Sequence, residues 1–256
     1  MRASGTKEWA THNANIAVGC PHECRYCYAR FNAVTRFDTV KAEDWKNIKY
    51  TRIKNWPKVD GTIMFPTTHD IVPQILPHAI KQLEQMLKVG NNVLIVMKPH
   101  VECVLAICNN FAKYKKQILF RFTIGSYSDW VLKFWEPGAP SFEERYQSLR
   151  HAFLNGFKTS VSAEPLLDDP VRLYDILSPY ITDALWIGKM NRIEERIDKS
   201  NWGRRGDKQL RLIQDLQTDE FIEDTYELMK HLPKIKWKQS YKIVLGLKSS
   251  GIGADE

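Results

Sequence analysis

Three cysteines lie within eight residues near the start of the chain, in the segment Gly19-Cys20-Pro21-His22-Glu23-Cys24-Arg25-Tyr26-Cys27-Tyr28. Their C-x3-C-x2-C spacing puts three thiolates on one short loop, from which they reach three corners of a [4Fe–4S] cube. The fourth iron is then left without a cysteine. An open position on a metal centre binds a substrate or a cofactor. We therefore predict that Cys20, Cys24 and Cys27 hold a reactive iron–sulfur cluster.

A zinc site is the alternative interpretation of the same loop. Zinc would need a fourth ligand, no second C-x2-C pair follows, and His22 sits between the cysteines where it cannot easily fold back. The spacing thus favours the cluster and leaves a non-catalytic, zinc-bound nucleic-acid-binding module as a second hypothesis. Cys103 and Cys108 lie five apart on an apolar helical stretch, which is typical of core packing.

The elements that must position this loop alternate between strand-like and helix-like patterns. Such alternation indicates parallel strands with crossover helices, and six units form an open, partial TIM-like (β/α)6 barrel whose site lies at the carboxyl ends of the strands. The predicted strands are Asn15–Gly19, Thr62–Phe65, Val93–Met97, Ile118–Ile124, Thr159–Ala163 and Ala184–Ile187. The predicted helices are Gln74–Lys88, Val101–Tyr114, Phe142–Leu154 and Val171–Leu177, the third beginning with a Ser141/Glu144 capping box.

Beyond the barrel the sequence predicts an extension that packs on the same domain. We place the α/β core at residues 1–190 and the extension at 191–256. The extension comprises helices Asp207–Gln217 and Asp219–Lys230 and a final strand Tyr241–Leu247.

Composition narrows the class of protein. With 256 residues, 43% hydrophobic and 26% charged, the chain is globular, and no apolar run approaches the roughly 20 residues that span a bilayer. No secretory signal is visible in residues 1–5, so a cytoplasmic protein is expected, in the host cytoplasm if the source is viral. Oligomeric state is not predictable.

The net charge of +7 is unevenly distributed and suits a polyanionic partner. Trp237 and Tyr241 are interleaved with C-terminal lysines, a pattern that suits phosphate contact and base stacking as well as a plain solvated segment. These lysines are Lys230, Lys234, Lys236, Lys238, Lys242 and Lys248.

The cysteine loop, with an aromatic residue before its last cysteine and a predicted strand before its first, resembles that of the radical S-adenosylmethionine (SAM) superfamily. The resemblance implies a partial βα barrel in which SAM chelates the vacant iron of a [4Fe–4S] cluster. An electron, from a donor such as flavodoxin or ferredoxin, then cleaves SAM to a 5′-deoxyadenosyl radical that abstracts a hydrogen atom.

Within that superfamily the chain is similar to the spore photoproduct lyase family, which splits a thymine photolesion in DNA. The likeness runs from Cys20 to Leu167. Its motifs are Thr67–Val72, Met97-Lys98, Phe122–Ile124, Asp129–Gly138 and Arg145.

The likeness implies roles for single residues. Asp70 would bond the ribose or amino group of SAM, Lys98 its carboxylate, and Thr123 its methionyl end. Tyr26 would lie against the adenine, with Tyr28 lining the same loop as a catalytic candidate. Glu164 is a candidate contact to SAM or substrate. Glu136 and Arg145 are predicted to form a structural ion pair.

Two departures change the expected chemistry. The family has a cysteine that returns a hydrogen atom to the product where this chain has Thr67, whose O–H is a far poorer hydrogen-atom donor. His69 replaces a small hydroxyl residue and is predicted to act as acid, base or anion contact. Extra residues also fall within Gly125–Ser128.

We therefore predict modification or rearrangement, of isomerase or lyase type, of a thymine-derived base or nucleotide in DNA, as in hypermodified viral genomes. The alternative substrates are tRNA, a peptide or a small metabolite.

Overall fold

A computed structural model describes residues 5–200, 202–249 and 251–254 of the chain. Residues 1–4, on which most of the expectation of no secretory signal rests, lie outside the described part. The strands are β1 His12–Asn13, β2 Ala17–Val18, β3 Lys49–Tyr50, β4 Thr62–Phe65, β5 Asn92–Met97, β6 Ile118–Thr123, β7 Lys158–Ala163, β8 Leu185–Ile187 and β9 Ile235–Trp237. The helices are α1 Tyr28–Arg30, α2 Leu76–Lys88, α3 Val101–Phe111, α4 Asp129–Trp135, α5 Phe142–Leu154, α6 Pro170–Leu177, α7 Ile193–Arg196, α8 Gly203–Asp215, α9 Asp219–Met229 and α10 Gln239–Val244.

Seven parallel strands form the main sheet, in the order β1-β4-β5-β6-β7-β8-β9. Because all seven strands are parallel, every carboxyl end lies at the same edge of the sheet. The predicted α/β architecture of a partial barrel is confirmed. The sheet has one strand more than predicted, since β9 comes from the region assigned to the extension.

The first predicted strand is wrong in its position. Within Asn15–Gly19, only Ala17–Val18 is extended, and it pairs antiparallel with β3 outside the main sheet. Two causes are visible. The side-chain oxygen of Asn15 accepts hydrogen bonds from the amides of Thr67 and Thr68, and Gly19 turns the chain at a φ of +96° into the cysteine loop.

The predicted final strand, Tyr241–Leu247, is also wrong, because α10 occupies most of it and the strand lies earlier, at β9. Trp237 and Tyr241 stack on each other in the core with centroids 5.6 Å apart. They are buried and do not form the proposed base-stacking surface. Sequence reasoning missed β9 because the lysines in and around it give the segment the composition of an exposed one. The domain boundary at residue 190 stays a prediction.

The two faces of the sheet pack differently. Helices cover one face in the main hydrophobic core, which contains Cys103 and Cys108 as predicted. On the opposite face Arg121 is buried between the rings of Trp9 and Trp186, at 4.7 and 5.2 Å, and its Nη2 donates to Asp183. No helix among the described residues is long and apolar enough to cross a membrane.

Candidate functional site

All ten residues that the sequence predicts as cluster ligands, cofactor contacts or catalytic groups line one cavity of about 1040 Å³. The cavity lies at the carboxyl ends of β4 to β7, as expected for parallel strands. Pockets for small molecules are commonly about 300–1000 Å³, so this one has room for a cofactor beside a substrate. The ten residues are Cys20, Cys24, Tyr26, Cys27, Tyr28, His69, Asp70, Lys98, Thr123 and Glu164.

The three cysteines face this cavity as free thiols. Burial raises the pKa of the Cys20 thiol to about 12, and it also raises the pKa values of Cys24 and Cys27. A buried thiol becomes a thiolate when a cation such as iron compensates the charge. Two buried thiols and the half-buried thiol of Cys27 on one cavity wall therefore fit the predicted [4Fe–4S] cluster.

The cysteine loop is anchored from both sides by Arg25. Its amide donates to the Trp135 carbonyl at 2.9 Å, and its Nε donates to the Phe134 carbonyl at 2.9 Å, both at the end of α4. Its Nη1 donates to the carbonyls of Asp198 and Ser200 at 3.2 and 2.8 Å. The residues after β8 therefore help to fix the loop that carries the thiols.

At Gly138 another segment of the chain packs tightly against the cysteine loop. Its amide donates to the His22 carbonyl at 3.0 Å. A Cβ at position 138 would overlap the Pro21 carbonyl oxygen and lie 3.1 Å from the His22 Cα. The loop would have to shift to make room.

We expect Gly138→Ala to lower the iron content after reconstitution, because the displaced loop presents its thiols in the wrong arrangement. We also expect a loss of about 1–3 kcal/mol in the free energy of unfolding, as for other overpacked sites. Iron analysis and urea titration measure the two effects. Gly251→Ala is the control, since a Cβ there would meet only the Ala254 Cβ at 3.7 Å. Equal iron content in both variants would contradict the prediction.

Asp70 stands at the centre of a buried polar network. Its Oδ1 accepts from the Lys98 amide at 2.7 Å, and its Oδ2 lies 3.0 Å from His22 Nδ1. Burial alone would raise the pKa of Asp70, but His22 and Lys98 outweigh it and hold the pKa well below its usual range. His22 Nε2 lies 2.9 Å from His100 Nε2, whose Nδ1 is 3.5 Å from Glu144 Oε1. Sequence reasoning missed this chain of side chains, which connects Asp70 to α5.

The same network bears on the zinc alternative. Ligand atoms of Cys20, His22 and Asp70 lie within 4.8 Å of one another, so these three form a possible metal group. Both ring nitrogens of His22 are, however, within hydrogen-bond distance of Asp70 and His100. The thiols of Cys24 and Cys27 would also be left out of a site built on this group.

Lys98 and Tyr26 lie beside the predicted ion pair between Glu136 and Arg145. That pair is confirmed, with Arg145 Nη2 2.5 Å from Glu136 Oε2 and both side chains fully buried. The Tyr26 hydroxyl donates to Glu136 Oε1. Burial alone would lower the pKa of Lys98, but its electrostatic interactions with Cys24 and with neighbouring acidic groups raise it well above its usual value. The ammonium of Lys98 therefore stays charged beside the cavity.

Thr123 ends β6 beside this pair. It is buried, its side chain lines the cavity, and its carbonyl accepts from Arg145 Nη1 at 3.2 Å. The buried ion pair thus supports the strand end on which the predicted SAM contact sits.

Thr67 and His69 line the cavity, and hydrogen bonds to neighbouring residues hold both side chains in place. Asn15 Nδ2 donates to the Thr67 hydroxyl at 2.7 Å. The His69 ring accepts from the Ile16 amide at 3.2 Å and lies 3.0 Å from the Asp70 carbonyl, so both of its nitrogens are engaged. Burial lowers the pKa of His69. The role of His69 as acid, base or anion contact stays a prediction.

The predicted contact Glu164 is part of a second buried group that sequence reasoning missed. Glu164 Oε2 lies 3.2 Å from Lys238 Nζ, which is also 3.0 Å from Glu8 Oε1, and Glu164 Oε1 accepts from Asn191 Nδ2. The ammonium of Lys238 is fully buried, 3.7 Å from the centre of the Trp9 ring. Lys238 is therefore internal, and the prediction that it contacts phosphate is wrong.

The sequence of this chain is similar to those of several known proteins. No protein-family model matches the chain. An uncharacterized protein of Acidianus two-tailed virus is 29% identical over 169 residues, covering 59% of this chain and 54% of that protein. An uncharacterized protein of Methanocaldococcus jannaschii is 27% identical over 171 residues, 62% of each chain. Spore photoproduct lyase of a Geobacillus strain is 23% identical over 177 residues, 65% of this chain and 49% of the lyase. The chain thus spans 49% to 62% of the length of these relatives.

Solved structures of spore photoproduct lyase superpose on most of this chain. The complex with dinucleoside spore photoproduct covers 93% of this chain and 78% of the lyase chain, with a TM-score of 0.55 and 18% identity. The chain has the fold of spore photoproduct lyase. A mutant of spore photoproduct lyase with bound AdoMet and dinucleoside spore photoproduct superposes with a TM-score of 0.54 and 18% identity. The predicted likeness to spore photoproduct lyase is confirmed, and the roles of single residues remain predictions.

Proposed function

We propose that this chain is a radical SAM enzyme that modifies or rearranges a thymine-derived base or nucleotide in DNA. The observation that carries the proposal is one cavity lined by three thiols, two of them buried and that of Cys27 half-buried, together with Lys98 and Asp70. Spore photoproduct lyase, whose fold the chain shares, has been solved with AdoMet and with dinucleoside spore photoproduct, which supports a SAM-dependent reaction on a thymine derivative.

Cys20, Cys24 and Cys27 would hold the [4Fe–4S] cluster, and SAM would occupy the adjoining part of the cavity. When bound, the two supply a 5′-deoxyadenosyl radical. Lys98 would pair with the carboxylate of SAM through a charge-assisted contact. Asp70, Thr123 and Tyr26 would hold the rest of SAM, in the roles that the family resemblance implies.

Position 67 carries a threonine and not a cysteine, so another group must return the hydrogen atom to the product. Thr67 is tied to Asn15, and its hydroxyl is a poor donor of hydrogen atoms. Tyr28, partly exposed at the cavity, donates its hydroxyl to the Thr67 carbonyl. We assign Tyr28, whose hydroxyl contacts the Thr67 carbonyl, as a residue at this position that could exchange a hydrogen atom. The other group that could return one is 5′-deoxyadenosine, which carries the hydrogen atom abstracted from the substrate.

A base-modifying or isomerising reaction suits this site better than lesion repair because the thiol is missing. The similarity to a protein of Acidianus two-tailed virus supports a viral setting. For that setting we propose DNA hypermodification as the activity. Flavodoxin or ferredoxin as electron donor, and a cytoplasmic location, remain predictions.

The test is anaerobic reconstitution of the full chain with iron and sulfide, followed by reduction in the presence of SAM. We expect 5′-deoxyadenosine to form, faster with DNA that contains thymine or modified thymine, and a new nucleoside to appear in mass spectra of the digested DNA. Stimulation by tRNA, a peptide or a small metabolite instead of DNA would contradict the proposed substrate. A colourless protein that binds one zinc would contradict the proposed chemistry.

A further inference from the structure

Helix α8 carries a basic surface that lies outside the cavity. Arg204, Lys208 and Arg211 lie three or four residues apart, so they share one face, and they line a surface groove of about 420 Å³ together with Asp207 and Leu212. All three basic residues are exposed. In the described part of the chain, neither they nor Arg205 form an ion pair with a carboxylate, so their charge is available to a partner.

An exposed tryptophan adjoins these cations. Trp130, on α4, is 47% exposed, which is unusual for so large an apolar side chain. The guanidinium of Arg205 lies 5.0 Å and the ammonium of Lys208 5.9 Å from the centre of its ring, and Arg205 Nη2 donates to the Trp130 carbonyl at 2.9 Å. These contacts fix the indole at the surface between positive charges.

This surface lies next to the cysteine loop. Arg205 is 5.5 Å from the centre of the Phe134 ring, and Arg25, which lies between Cys24 and Tyr26 in the sequence, is 4.9 Å from the same ring. One aromatic side chain therefore separates the α8 cations from the loop that lines the cavity. Further basic residues line the cavity itself, namely Arg36, Lys189, Arg192 and Arg196.

We propose that Trp130, Arg204, Arg205, Lys208 and Arg211, the α8 patch, bind a strand of the DNA substrate beside the cavity. The inference rests on the proposed function and makes the substrate a polynucleotide rather than a free nucleotide. The cations would contact phosphates and the indole would stack on a base, the combination by which proteins hold single strands. An acidic protein or an anionic membrane would not require a stacking ring framed by cations.

The test measures binding of a labelled, thymine-rich single-stranded DNA to the reconstituted protein over a range of salt concentrations. We expect Lys208→Glu/Arg211→Glu to weaken binding by about tenfold or more, and to lower the slope of log Kd against log salt by about 1.4, the value for two phosphate contacts on a single strand. We expect Trp130→Ala to weaken binding with little change in the slope, because stacking releases no counterions.

Lys115→Glu/Lys116→Glu is the matched control. These two lysines are exposed and precede β6, at the end of the sheet opposite the cavity, so the net charge changes equally at a different place. Equal loss of affinity in the two double variants, or no loss in either, would overturn the proposal, as would binding to anionic vesicles without binding to DNA. SAM cleavage measured without DNA should be unchanged in all three variants, so a failure of the α8 patch is distinguishable from a failure of the radical chemistry.

Discussion

Replacement of Cys24 by serine is expected to remove iron–sulfur binding and to lower the rate of 5′-deoxyadenosine formation by at least about 100-fold. The loss of residues that merely orient a metal ligand already costs roughly 10–100-fold, and Cys24 is itself a predicted ligand. Its thiol is buried in the cavity wall, where burial raises its pKa strongly. The measurements are iron and sulfide content, visible absorbance and the yield of 5′-deoxyadenosine.

Cys108→Ala is the matched control for this substitution. Cys108 is as buried as Cys24 but lies in the helix-covered core, far along the chain from the cavity-lining loop. We expect it to retain the full iron content and SAM cleavage with only a modest loss of stability. Normal iron content in the Cys24 variant, or equal loss in both variants, would contradict the assignment of the cluster.

The second large effect is expected for Arg145→Met, which leaves the Glu136 carboxylate buried without its ion-pair partner. Breaking a fully buried pair from one side costs about 3–5 kcal/mol of unfolding free energy. Burial would raise the pKa of Glu136, but Arg145 and Lys98 hold it below its usual value in the wild type, so the loss of Arg145 makes the charge costly. Urea denaturation followed by circular dichroism measures the change.

Two further variants identify the cause. Arg145→Met/Glu136→Leu should recover part of the lost stability, because it removes the unpaired charge along with its partner. Lys88→Met breaks the exposed pair with Glu84 and should leave the denaturation midpoint nearly unchanged. If the double variant is less stable than Arg145→Met alone, the cost comes from lost packing and not from the buried charge.

The parts of this molecule that were predictable are those in which local pattern and chemistry agree. Cysteine spacing on one loop needs no long-range information. The polar residues Asp70, Lys98, Thr123 and Glu164 each lie at the end of a predicted strand or in the loop that follows it. Because parallel strands end at one edge of the sheet, their meeting in one cavity follows from topology.

The parts that were missed depend on partners distant in the chain. His22 and His100 are 78 residues apart in sequence, and nothing local to either indicates that they meet. Lys238 is buried only because Glu8 and Glu164 lie around it, and its neighbouring lysines gave its segment the composition of a solvated one. A strand of three residues such as β9 is likewise fixed by its pairing with β8 and not by its own propensity.

Electron paramagnetic resonance of the reduced, reconstituted protein is the measurement that addresses the central claim most directly. If three thiols bind the cluster and leave one iron accessible, the spectrum should change when SAM is added, and 5′-deoxyadenosine should accumulate. A spectrum of an intact cluster that SAM leaves unaltered, with no 5′-deoxyadenosine formed, would contradict the account.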